Sequence, residues 1–173
     1  MFPRNLHRLM LVTAAPVVPI LLLATAPAAE RTRVEGAFSV SYTQRRPLPV
    51  SDAPGHALVA TEGRGTNRST GATLYMDGAE VRNVEIADLT QGNGPHQGYA
   101  TFSGQGQETV CKWSGKVTTV LDANGKPLTS FEGTWTRVKG PSGHGTYKGR
   151  LTGPDSYLVE WEGEVELTPR AAS

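Results

Sequence analysis

The chain has 173 residues, 38% hydrophobic and 19% charged, with 17 Lys and Arg against 16 Asp and Glu. That length suits one domain, and the charge balance excludes the basic excess with which nucleic-acid binders hold phosphate. The 20 glycines begin only at Gly36, so the remainder of the chain carries about twice the ordinary share.

Residues 1–28 read as a secretory signal peptide. Arg4, His7 and Arg8 make a basic start, an apolar stretch runs from Leu9 to Ala26, and Ala26-Pro27-Ala28 supplies small residues before the cut. Cleavage after Ala28, or one residue later, leaves a domain over 29–173. The competing reading is an uncleaved anchor, but Pro16 and Pro19 interrupt the apolar run. The short Ala-rich leader predicts a bacterial protein that is exported, periplasmic or secreted, with no membrane span once the leader is removed. A single cysteine, Cys111, allows no intrachain disulfide, so stability must come from a buried core.

Past the leader, helical periodicity is almost absent, because Gly or Pro interrupts nearly every candidate window. Alternation with period two predicts strands over 34–44, 57–67, 79–90, 98–103, 108–121, 128–138, 145–151 and 157–167. A short piece at 72–76 is either a further strand or the arm of a bent one. The last strand is the clearest: Tyr157, Val159, Trp161, Val165 and Leu167 point one way and Glu160, Glu162, Glu164 and Glu166 the other. Separators such as Asp77-Gly78, Asp122-Ala123-Asn124-Gly125 and Thr152-Gly153-Pro154-Asp155 carry turn chemistry. The expected fold is all-β, a single closed antiparallel up-and-down barrel of about eight strands.

A weak repeat supports closure. An aromatic residue stands two positions before a mid-strand glycine in Trp113/Gly115, Phe131/Gly133, Tyr147/Gly149 and Trp161/Gly163. Glycine weakens a strand unless it relieves crowding in a tightly coiled sheet, where a neighbouring ring covers the bare backbone. Three segments around this repeat are Gly92-Asn93-Gly94-Pro95-His96-Gln97-Gly98-Tyr99-Ala100-Thr101-Phe102, Cys111-Lys112-Trp113-Ser114-Gly115 and Ser142-Gly143-His144-Gly145-Thr146-Tyr147-Lys148-Gly149. Together they resemble small exported bacterial proteins of unknown function, which in turn are similar to the allene oxide cyclase and dirigent-type barrels. The likeness covers about residues 85 to 167 and implies an eight-stranded barrel with an apolar lumen. It carries no catalytic residue onto a position of this chain.

Candidate chemistry is sparse. His56, His96 and His144 each sit beside Gly or Pro, which predicts solvated loop rings. Strand parity puts His96 and His144 at opposite ends, so no zinc site and no cofactor are expected. No Gly-x-Ser-x-Gly element is present. Asp88, Glu108 and Glu132 are isolated acids, the pairs Arg31/Arg33 and Arg45/Arg46 read as solvated, and Cys111 reads as a small buried hydrophobe. Trp113, Phe131, Trp135, Tyr147, Tyr157 and Trp161 share strand faces that would line a lumen. Arg137 shares that parity and is expected near the mouth, where it either meets an anionic ligand or reaches solvent. The favoured expectation is a barrel that binds a small apolar or amphipathic molecule. The alternatives are a cyclase- or isomerase-like enzyme using the lumen and a non-catalytic interaction protein, with a homo-oligomer left open.

Overall fold

The computed structural model describes residues 31–104 and 106–166. The expected leader and its cut site, and Leu167, lie outside them. In chain order the strands are β1 Arg31–Pro49, β2 His56–Ser69, β3 Glu80–Thr90, β4 Gly94–Gly104, β5 Gln107–Leu121, β6 Pro127–Lys139, β7 Gly143–Gly153 and β8 Ser156–Glu166. Each pairs antiparallel with the next, and β8 returns to β1 from Arg31↔Glu166 to Ser41↔Ser156. The molecule is a closed eight-stranded up-and-down barrel, as the alternation predicts.

Several strands run further than expected, β1 and β4 the most: β1 continues to Pro49, and β4 starts at Gly94 instead of 98. The piece at 72–76 is not a strand. It belongs to the β2–β3 connection, which folds under one end of the barrel and buries Met76 and Ala79 against Val34, Val81 and Val165. Met76 takes a left-handed backbone (φ 53°), uncommon for a long side chain. Asn67 holds it there: its Nδ2 donates to the Met76 carbonyl at 2.9 Å, and its own carbonyl accepts from Gly78 N at 2.9 Å. This connection is the floor. The β1–β2, β3–β4, β5–β6 and β7–β8 turns form the opposite rim.

Local chemistry fixes these turns. In the β5–β6 hairpin the Asp122 carboxylate accepts from the backbone N–H groups of Asn124 and Lys126, each at 2.8 Å, and Gly125 supplies the positive φ the reversal needs (78°). The outer face is charged. The β8 glutamates meet β1 arginines, as in Arg33–Glu162 at 3.0 Å, and Arg82–Glu62 and Arg64–Glu80 bridge β2 and β3 at 2.8 and 2.7 Å. Such exposed pairs are screened by water and contribute little each.

The mid-strand glycines have a steric cause. Inward rings stand directly across from them: Trp161 opposite Gly36, Trp113 opposite Gly98, Phe131 opposite Gly149, Trp135 opposite Gly145 and Tyr147 opposite Gly133. A Cβ at Gly36 would lie 2.6 Å from Trp161 Cζ2, and one at Gly149 would lie 2.1 Å from Phe131 Cε2. Carbon atoms normally meet at about 3.5–4.0 Å. Each bulky ring therefore lies over a neighbouring strand's bare backbone, which lets a narrow barrel hold this many aromatic side chains.

Candidate functional site

The inward side chains stack in layers along the barrel axis. Next to the floor, Val34, Val81 and Val165 are fully buried and fill the interior. Above them Phe38, Phe102, Trp135 and Trp161 pack edge to face, with ring centroids 5.7 Å apart for Phe38–Phe102 and 6.3 Å for Trp135–Trp161. A cavity of about 130 Å³ remains in the lumen; its lining runs from Tyr75, Met76 and Arg137 at the floor, past these rings and Trp113, Phe131, Tyr147 and Tyr157, to Arg45, Val59 and Leu89 at the open rim. An engineered cavity of about 150 Å³ admits benzene, so the void has the size of a single ring.

Two buried asparagines set the orientation of the large rings. Asn83 accepts from Trp113 Nε1 at 2.9 Å and donates through Nδ2 to the Tyr157 hydroxyl at 2.8 Å. Asn67 accepts from Trp161 Nε1 at 2.9 Å while holding the floor loop. An indole N–H sealed from water needs such a partner, because an unmade hydrogen bond there costs about 1–3 kcal/mol. The lumen walls are thus preorganised.

One wall of the cavity is ionisable. His96 is 4% exposed, with Nδ1 2.8 Å from Glu85 Oε1 and Nε2 3.0 Å from the Tyr147 hydroxyl. Thr61 Oγ1 donates to the second Glu85 oxygen at 3.2 Å. With Nδ1–H donating to the carboxylate, Nε2 is free to accept the phenol proton, so carboxylate, imidazole and phenol form one polarised chain. Trp113 and Phe131 pack edge-on against the imidazole at centroid distances of 4.8 and 5.7 Å and fix its plane. Gly115 and Gly133 make room for the phenol, since a Cβ at either would lie within 2.7 Å of the Tyr147 oxygen.

Burial governs the other titrating groups. It raises Tyr147 and Tyr157 well above the usual phenol value, and the Glu85 charge adds to both shifts. Tyr42 is pushed up to about 12 by burial and then by Glu85, while Arg45 works against the rise. Cys111 is pushed up to about 11 by burial, only partly offset by Arg137, so the thiol is no nucleophile.

All seven residues singled out from the sequence, Trp113, Phe131, Trp135, Arg137, Tyr147, Tyr157 and Trp161, line the lumen. Arg137 departs from expectation in depth: it lies at the floor, not the mouth. Its terminal nitrogens donate to the Pro141 carbonyl and the Tyr75 hydroxyl, and its guanidinium sits over the Tyr75 ring at 5.0 Å. The histidines depart more. His144 is exposed, as expected of a solvated ring, but His96 belongs to β4 and faces the lumen. His56 begins β2 and is clasped by two carboxylates, Asp52 through Nδ1 and Asp88 through Nε2, the latter at 2.6 Å. Both ring nitrogens can donate only in the imidazolium, and the hydrogen bonds to Asp52 and Asp88 raise the His56 pKa above its ordinary value.

Sequence reasoning missed Glu85, His96, Asn83, Asn67 and Thr61. Among the described residues no group of three or more His, Cys, Asp or Glu side chains is placed to hold a metal ion. Comparison with protein-family models, with curated proteins and with solved structures finds no match to this chain.

Proposed function

We propose that the protein is an exported small-molecule binder that takes an apolar or amphipathic compound of about one ring into the barrel lumen. The observation that carries this reading is the lumen cavity of about 130 Å³, whose lining includes Trp113, Phe131, Tyr147 and Tyr157, with polar groups gathered on one wall. A site of that kind, concave and apolar with a few convergent polar groups, is the common form of a ligand pocket. All three tryptophans of the chain line the same lumen, so intrinsic fluorescence reports occupancy. Titration with toluene, cyclohexanone and benzyl alcohol gives a saturable change in tryptophan emission. A lumen binder that answers to none of them is ruled out.

A second reading, a cyclase- or isomerase-like enzyme, is favoured by the Glu85–His96–Tyr147 chain. A phenol backed by an imidazole and a carboxylate can exchange a proton with a bound carbonyl compound while the aromatic walls exclude water. In heavy water the protein would then speed loss of the α-proton signals of cyclohexanone by NMR, and His96→Gln would abolish the acceleration. Exchange at the buffer rate leaves binding as the function.

A further inference from the structure

The cavity has room for about one ring, and the rim says what that ring carries. β1 reaches the rim through a bulge: Tyr42 pairs with Gly63 but Gln44 pairs with Glu62, so Thr43 is an extra residue. A single inserted residue reverses the alternation beyond it. Before the bulge the even positions Phe38, Val40 and Tyr42 face inward; after it the odd ones do, and Arg45 joins the lumen lining opposite Thr61. Without the bulge Arg45 would point to solvent. The bulge therefore turns a cation toward an apolar cavity.

That cation is unclaimed. Among the described residues no carboxylate lies within 4.0 Å of Arg45; its recorded contact is the Tyr42 ring, 5.6 Å below the guanidinium. Stacking on an aromatic face steadies a guanidinium and leaves its N–H edge free to meet a carboxylate two-pronged. The nearest acid on the same wall, Glu85, is already committed, one oxygen to His96 and the other to Thr61. Arg137, the other lumen cation, lines the cavity at its floor end, where both terminal nitrogens are taken by Pro141 and Tyr75 and only the buried Nε has no partner.

We infer that the lumen selects single-ring carboxylates, with the ring seated between Trp113, Phe131 and Tyr157 and the carboxylate held at the mouth by Arg45. The inference rests on the lumen-binding reading and adds the head group to it. Sodium benzoate and benzyl alcohol test it, because they share a ring and a size and differ in charge. Tryptophan-fluorescence titration of the purified chain gives benzoate binding about fivefold tighter than benzyl alcohol, the scale of one solvent-edged ion pair. Added salt narrows the difference. Arg45→Gln removes it and leaves benzyl alcohol affinity unchanged. Equal binding of the two compounds overturns the inference, as does a benzoate preference that survives Arg45→Gln. A variant that also loses benzyl alcohol overturns it too, because the arginine then shapes the mouth without claiming a charge. If neither compound saturates, the lumen-binding reading itself fails.

Discussion

Gly149→Ala probes whether the mid-strand glycines exist to seat the rings. In an unobstructed strand the change would stabilise by about 0.5–1 kcal/mol, because glycine loses more freedom on folding. Here the new Cβ would stand 2.1 and 2.5 Å from Phe131 Cε2 and Cζ and 2.7 Å from the Leu158 carbonyl oxygen. The ring must withdraw by more than about 1 Å to restore ordinary contact. It has little room, because its far side meets Tyr157 at a centroid distance of 5.8 Å and His96 at 5.7 Å. Overpacking of this kind costs about 1–3 kcal/mol, or roughly 4 °C of Tm per kcal/mol for a domain this size. Urea denaturation measures it directly, with the exposed Ser130→Ala as a control expected within about 0.5 kcal/mol of the parent. Combining Gly149→Ala with Phe131→Leu removes the ring and recovers part of the loss, giving a coupling energy. If Gly149→Ala is neutral or stabilising, or if Phe131→Leu recovers nothing, the ring-over-glycine account is wrong.

Asn83→Ala strands the Trp113 indole N–H and the Tyr157 hydroxyl and should cost about 2–5 kcal/mol in the same assay; a loss below about 1 kcal/mol would mean the lumen walls are not held by that bond. His56 makes stability depend on pH. Its folded pKa is raised above the ordinary 6.5, chiefly by the Asp52 and Asp88 hydrogen bonds, so its contribution is full below the unfolded value and disappears as pH rises through the folded one. Asp52 is lowered from 3.8 by the same bond, so its contribution disappears as pH falls through its folded value. Thermal melts should therefore show the clasp's effect between the Asp range and the raised His56 value, and His56→Gln should flatten the alkaline limb; an unchanged limb would refute the clasp. The Cys111 thiol, pushed up to about 11, should react with a disulfide reagent slowly in the native state and rapidly in urea, and equal rates would contradict its burial.

The barrel was legible because its signal is repeated. Eight alternating runs and turn residues between them leave little choice of architecture, and the aromatic parity put Trp113, Trp135 and Trp161 on the lumen wall. The ionisable wall was not legible, for reasons that lie in three strands. In β3 the outward Val84 and Ile86 are 38% and 57% exposed. Apolar residues on both faces hide which one carries Asn83 and Glu85 inward. In β4 the run Gly92-Asn93-Gly94-Pro95 reads as a turn, so the strand was expected to begin after His96. Carrying the parity of Phe102 and Ala100 back through Gly98 would have reached it. In β1 the strand is expected to end at Gln44, and Arg45, in a pair too short for a polyanion site, reads as solvated. It is indeed exposed, but a bulge at Thr43 shifts the register and puts it on the lumen side of the rim, and alternation has no mark for an extra residue. The Arg137 misplacement is different: parity gives the face but not the depth, and depth came from the β2–β3 connection folding under the barrel.

The most direct test of the lumen as a binding site is a crystal structure of the protein soaked with iodobenzene. The account predicts an anomalous iodine peak inside the barrel, with the ring between Trp113, Phe131 and Tyr157. A lumen filled by its own side chains, with iodine only on the outer surface, would contradict it.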